Sequence, residues 1–142
     1  MNRHLQTYRL LRNAVATLVA AALLPSCTES FEERCRREAA DFTAKQCPRR
    51  LDECTRLDSM TFEDTPVGFK YWYSVEGKLD ADSIYADLGQ VESYRETLVQ
   101  NVRADIGLRQ CKEHKFTFTY NYVSATDGHM LMEHVITPAD YE

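Results

Sequence analysis

The sequence predicts an α+β domain of two layers, in the order helix-strand-strand-helix-strand-strand, with antiparallel hairpins and two helices on one face. Three observations lead there. Phe31, Cys35, Ala39 and Phe42 recur at the spacing of one helical face. Two segments, Phe69-Lys-Tyr-Trp-Tyr-Ser-Val75 and Phe116 to Val123, alternate aromatic with other side chains, the period-two pattern of a half-buried strand. Between them runs a second helical stripe of Ile84, Leu88, Val91, Leu98 and Val102, with Tyr94 at its flank. One apolar stripe per helix and one apolar face per sheet are buried together by stacking the two as layers.

Each element has its own signals. Ser30 and Glu33 form an S-x-x-E capping box ahead of the first helix. Glu29, Glu32 and Glu33 sit at the positive end of its dipole. Arg34, Arg36 and Arg37 alternate with Glu38 and Asp41, which reads as an ion-paired solvent face and not as a basic binding patch. Pro48 stops the helix after Cys47. Thr55 to Glu63 is the first strand, Asp64-Thr-Pro-Val-Gly68 the turn, and Phe69 to Val75 the second strand. Gly89 costs a helix ~1 kcal/mol against alanine, so the firm second helix is Gln90 to Asp105, ending before Gly107. Thr126-Asp127-Gly128 is a hairpin turn, and His129 to Thr137 returns as the last strand.

The first 26 residues have a different character. Arg3, Arg9 and Arg12 precede the apolar run Ala14 to Leu24, which is followed by Leu24-Pro25-Ser26-Cys27. A basic n-region, a short apolar h-region and a small residue before a cleavage point define a secretory signal. The run falls short of the ~20 apolar residues that span a bilayer. A cysteine directly after the small residue resembles the lipobox of bacterial lipoproteins. That resemblance implies cleavage before Cys27, acylation of its thiol and new N-terminus, and attachment to a membrane, the outer membrane if the cell has one. The chain then divides into a signal peptide over 1–26, a lipidated tether over 27–30 and a single domain over 31–142. An ordinary mature cysteine behind a conventional signal is the alternative.

Removing the signal takes away three arginines and no acid, so the formal charge of −5 becomes three units more negative. An acidic surface repels nucleic acid and anionic headgroups, so membrane attachment has to come from the lipid. With Cys27 assigned to the lipid, Cys35, Cys47, Cys54 and Cys111 remain. An even count in a small exported domain predicts disulfides, and the wide spacings do not match the close ligand pairs of zinc sites. Cys35 and Cys47 lie ~18 Å apart if they share a helix, which excludes that pair and leaves two connectivities. Cys35–Cys54 with Cys47–Cys111 is favoured for its longer loops. Cys35–Cys111 with Cys47–Cys54 is the other.

Little here carries chemistry. His129 and His134 fall on opposite faces of the last strand by parity, so no metal centre is expected. There is no nucleophile elbow and no phosphate loop, so no catalytic residue and no cofactor is assigned. Asp80 and Asp82 read as residues favoured near a helix start. Tyr71, Tyr73, Tyr120 and Tyr122 read first as packed sheet face and second as the lining of a ligand groove. Trp72 points the other way, toward solvent or a partner.

The elements Cys47-Pro48, Leu51-Asp-Glu53, Thr55-Arg-Leu57, Phe69 to Val75, Phe118-Thr-Tyr-Asn-Tyr122, Asp127-Gly128 and Ile136-Thr-Pro138 resemble small exported bacterial proteins of unknown function. The resemblance implies a fold and brings no activity. The leading expectation is a lipid-anchored envelope protein that acts by binding or structural association. Two alternatives stand beside it: an inhibitor or immunity-type protein that blocks another protein, and a small ligand carrier or hydrolase with an aromatic cavity.

Overall fold

The computed structural model describes residues 28–142. Cys27 and the segment before it lie outside the described residues. Helix α1 (Phe31–Gln46) is followed by a two-residue strand β1 (Arg49–Arg50) and by the hairpin β2 (Thr55–Asp64) and β3 (Val67–Val75). A single 3-10 turn at Gly77–Leu79 leads into α2 (Asp82–Tyr85), α3 (Leu88–Ala104) and α4 (Arg109–Glu113). The second hairpin is β4 (Thr117–Ser124) and β5 (Met130–Ile136), and the short helix α5 (Pro138–Tyr141) ends the chain. The α+β class and the helix-hairpin-helix-hairpin order are as expected from the sequence.

The five strands form one sheet in the order β1-β2-β3-β4-β5. All neighbours are antiparallel except β3 and β4, which run parallel with Gly68 opposite Thr117 and Val75 opposite Ser124. That parallel seam was not foreseen. It follows from the helical crossover between the hairpins, since parallel neighbours need a long connection. Gly68 makes the seam possible: a Cβ there would stand 1.8 Å from the Thr117 carbonyl oxygen.

α1 buries Cys35 and Ala39 against the sheet and half-buries Phe31 and Phe42. Thr43 on the same helix ties it to the sheet edge: its Oγ1 donates to the Met60 carbonyl (2.7 Å) and accepts from the Met60 N–H (2.9 Å). This occupies backbone groups of β2 beyond the reach of short β1, where an open edge would recruit another strand. α3 begins at Leu88, and the Asp87 carboxylate accepts from the Gly89 and Gln90 N–H groups, so Gly89 sits in the capped first turn. The sequence stripe fails in that first half: Leu88 is 79% exposed, and the buried residues are Leu98, Val99 and Val102. At the other end, Lys112 Nζ donates to the carbonyls of Val102, Arg103 and Asp105, which supplies partners to a helix C-terminus.

The core lies between α1, α3, α4 and the sheet. Phe116, Phe118 and Ile136 are wholly buried. Phe116 packs its ring against Phe31, Phe62 and Phe69 at centroid distances of 5.5, 5.7 and 5.7 Å. These tilted and edge contacts suit the ring quadrupoles and add to the burial term.

Candidate functional site

The pairing registers sort the sheet into two faces. Phe69, Tyr71, Tyr73, Phe118, Tyr120 and Tyr122 belong to the helix side, and Lys70, Trp72, Thr119 and Asn121 to the other. Trp72 therefore faces away from the helices, as its parity requires. In register, Ser59, Trp72, Asn121 and Glu133 form one row across β2 to β5. Next to it, Lys70, Thr119 and Val135 form another. Beside that row Glu63, Lys70, Thr117, Thr119, Glu133 and Val135 line a trough of about 190 Å³, closed at one end by the Thr65-Pro66 turn. Thr117 and Thr119 are buried, as is Asn121, whose Oδ1 has no hydrogen-bond partner among the described residues. Short side chains on the central strand, with longer ones on the strands beside it, produce this shape. At the far end of the same face a bulge between Leu57 and Ser59 turns Asp58 toward Arg56, whose Nε donates at 2.6 Å, and toward Ser74.

The helix side holds a second concavity of about 380 Å³. Its walls are Phe31, Arg34, Cys35 and Glu38 of α1 and Gly107 to Cys111 of the crossover, over Met60, Phe69 and Tyr71. The Arg34 guanidinium donates to Gln110 Oε1 (3.3 Å) across it and lies over the Phe31 ring. The tyrosines continue from there across the sheet. Tyr71 stacks on Tyr120 (5.1 Å) and Tyr73 on Tyr122 (4.8 Å) across the parallel seam, and the Tyr122 hydroxyl bonds that of Tyr94 (2.6 Å). Burial pushes the Tyr71, Tyr73 and Tyr122 hydroxyls well above the ordinary phenol range and Tyr120 up to about 12. They stay neutral at any physiological pH. Such groups offer ring surface and hydroxyls for contact, and are poor bases. The aromatic stripe is thus both core, at Phe69, Phe118 and Tyr122, and half-exposed floor, at Tyr71, Tyr73 and Tyr120.

All four cysteines of the domain are free thiols in the structure. Cys35 and Cys111 are both buried, belong to one core cluster and line the same cavity. The favoured pairs are not brought together: Cys54 is buried beside Gly77, and Cys47 is half-buried just past the end of α1. Loop length favoured a pairing that the fold does not juxtapose, because which thiols meet depends on how the crossover returns to α1.

The histidines sit apart. His114 stacks on Phe31 (4.2 Å). His129 Nδ1 meets Asp127 (2.5 Å) and its Nε2 meets Asp82 (2.8 Å), and these carboxylates raise its pKa to about 9. With an acceptor at each ring nitrogen the ring is held as imidazolium, and the β4–β5 turn is tied to α2. Asp80 accepts from Thr126 Oγ1 (2.7 Å) in the same tie. Asp80 and Asp82 therefore bind the turn instead of capping a helix, since the residue at the α2 N-cap is Ala81. His134 is buried on the helix side near Tyr94, with no partner at Nε2 among the described residues, and burial lowers its pKa. Among the described residues no group of three or more His, Cys, Asp or Glu could hold a metal ion, and no helix is long and apolar enough to cross a membrane.

Comparison with known proteins adds fold and family. No curated protein matches the chain. Among solved structures, a Pseudomonas aeruginosa protein classed as secreted superposes with a TM-score of 0.61. The match covers 80% of this chain and 92% of the other at 16% identity, which establishes a shared fold. The model of a domain of unknown function, DUF8479, matches residues 30–132, nearly all of the folded unit that begins at Phe31. The chain belongs to that family.

Proposed function

We propose that this is a lipid-anchored protein of the bacterial cell envelope that works by binding, with Cys27 carrying the lipid and the sheet face around Trp72 meeting the partner. The anchor rests on the basic n-region, the short apolar run and the Leu-Pro-Ser-Cys27 sequence. The shared fold with a protein classed as secreted is in keeping with export. Two or more acyl chains on one residue give stable attachment, where one gives only marginal binding.

One observation carries the binding part: both long helices lie on one side of the sheet, leaving the other to Trp72 and the adjoining trough. The sheet face offers an aromatic ring amid Ser59, Lys70 and Glu133, a mixed polar and aromatic surface of the kind partners use. A carrier of small ligands is the second reading, favoured by the helix-side cavity and its Phe31, Phe69 and Tyr71 walls.

In-cell photo-crosslinking separates the two. A photoreactive residue at position 72 should give a discrete adduct in the envelope fraction, and one at the exposed helix position Glu38 should give none. Adducts confined to the α1 side would favour the carrier. No adduct from position 72 in intact cells would remove the sheet-face reading.

A further inference from the structure

We propose that Cys35 and Cys111 form a disulfide in the exported protein, a bond that staples α1 to α4 across the helix-side cavity. Three observations point to this pair. The two thiols lie near enough to perturb each other's titration, although one comes from α1 and the other from α4. They belong to one buried cluster with Ala39, Phe69 and Phe116, so the fold itself fixes their approach. They also line the same 380 Å³ cavity, Cys35 from α1 and Cys111 from the crossover, so the bond would join its two sides.

The other pairings fail on geometry. Cys54 lies inside the turn closed by the Leu51 N–H bond to the Thr55 carbonyl, while Cys47 stands before β1. Leu51 stands four positions after Cys47, roughly 13 Å along the chain at strand rise. A disulfide needs its Cα atoms within about 4.4–6.8 Å. Cys47–Cys54 is thus out of reach, and Cys111 is already occupied by Cys35.

The oxidant is a disulfide donor, a protein or glutathione disulfide. One cysteine thiolate attacks the donor's sulfur, forming a mixed disulfide and releasing one donor thiolate. The second cysteine thiolate then attacks the first cysteine's sulfur and releases the other. Two electrons pass from the pair to the donor, and the two protons end on the donor's thiols. The timing follows from the thiols' surroundings. Burial pushes both up, Cys111 to about 12, so thiolate is scarce once the core has closed. The bond is therefore made on the folding chain, and a reduced, folded molecule should oxidise slowly.

The test uses the full mature chain recovered from the envelope, alkylated without reduction, digested and mapped. The expected result is one linked peptide joining Cys35 to Cys111, with neither linked to Cys47 or Cys54. Alkylation at both, or a link from either to another cysteine, would overturn the proposal. A melting curve gives an independent reading. Reductant should lower the Tm of the parent and of Cys54→Ala by roughly 10 °C, the scale of a typical disulfide in a domain this size. The Cys35→Ala/Cys111→Ala double variant should not respond. A parent that melts at the same temperature with and without reductant would also overturn it. None of these readings depends on the lipid or on the sheet-face partner.

Discussion

Replacing Gly68 by alanine probes the parallel seam that the sheet-face trough spans. The new Cβ would stand 1.8 Å from the Thr117 carbonyl oxygen and 2.7 Å from the Thr117 carbon and nitrogen, all backbone atoms that cannot rotate aside. Ordinary carbon–oxygen contact needs the strands to part locally by roughly 1.5 Å. Parting them weakens two or three ladder hydrogen bonds, each worth about 1 kcal/mol. The φ of +156° at Gly68 adds backbone strain for an L side chain, of order 1–2 kcal/mol. Together these give a loss of about 3–5 kcal/mol, a large part of the 5–15 kcal/mol of a typical domain. Gly128→Ala is the control: its φ is +79° with nothing within 4 Å of the added carbon, so strain alone should cost about 1 kcal/mol. Urea titration followed by far-UV circular dichroism measures both. A Gly68→Ala protein within about 1 kcal/mol of the parent would show that β3 and β4 do not pair in this register.

Two further perturbations separate core from surface. Phe116→Ala empties a fully buried ring site against three other phenylalanines and should cost about 3–5 kcal/mol in the same assay, whereas a loss under 1 kcal/mol would remove Phe116 from the core. The two perturbed histidines give stability opposite slopes with pH. The His129 pKa is raised to about 9 in the fold, so its contribution is complete below the unfolded value of 6.5 and is lost as pH rises through 9. The His134 pKa is lowered, so stability falls as pH drops below 6.5 toward the folded value. Imidazole proton shifts measured across pH 4–10 should place the two midpoints on opposite sides of 6.5; a His129 midpoint at or below 6.5 would contradict the tie to Asp82 and Asp127.

The local elements were legible because their signals are local. The period-two aromatics of β3 and β4 specify strand and face together, so parity alone sets Trp72 opposite Tyr71 and Tyr73. Gly128, with φ +79°, occupies the turn that Asp127-Gly128 announces. Contacts made by the crossover were not legible. Nothing in the spacing shows that β3 and β4 lie parallel, because that depends on three helices between them. For the same reason the pairing of Cys35 with Cys111 stood only as the less favoured of two, and the tie from His129 to Asp82 was not seen. Leu88 misled for a different cause: it fits the helical stripe, but it lies in the first turn of α3, where no sheet lies beneath it, and is exposed. Asn121, read only as the polar half of an alternation, turned out to be buried beside Trp72 in the register, with one unpartnered oxygen.

Intact mass spectrometry of the protein extracted from cell membranes, with sequencing of its first peptide, tests the anchored-envelope reading most directly. The account predicts a chain that starts at Cys27 and carries acyl groups on its thiol and amino terminus, and a Cys27→Ser protein that is released or left unprocessed. A chain beginning elsewhere, or one beginning at Cys27 with a free, unacylated thiol, would contradict it.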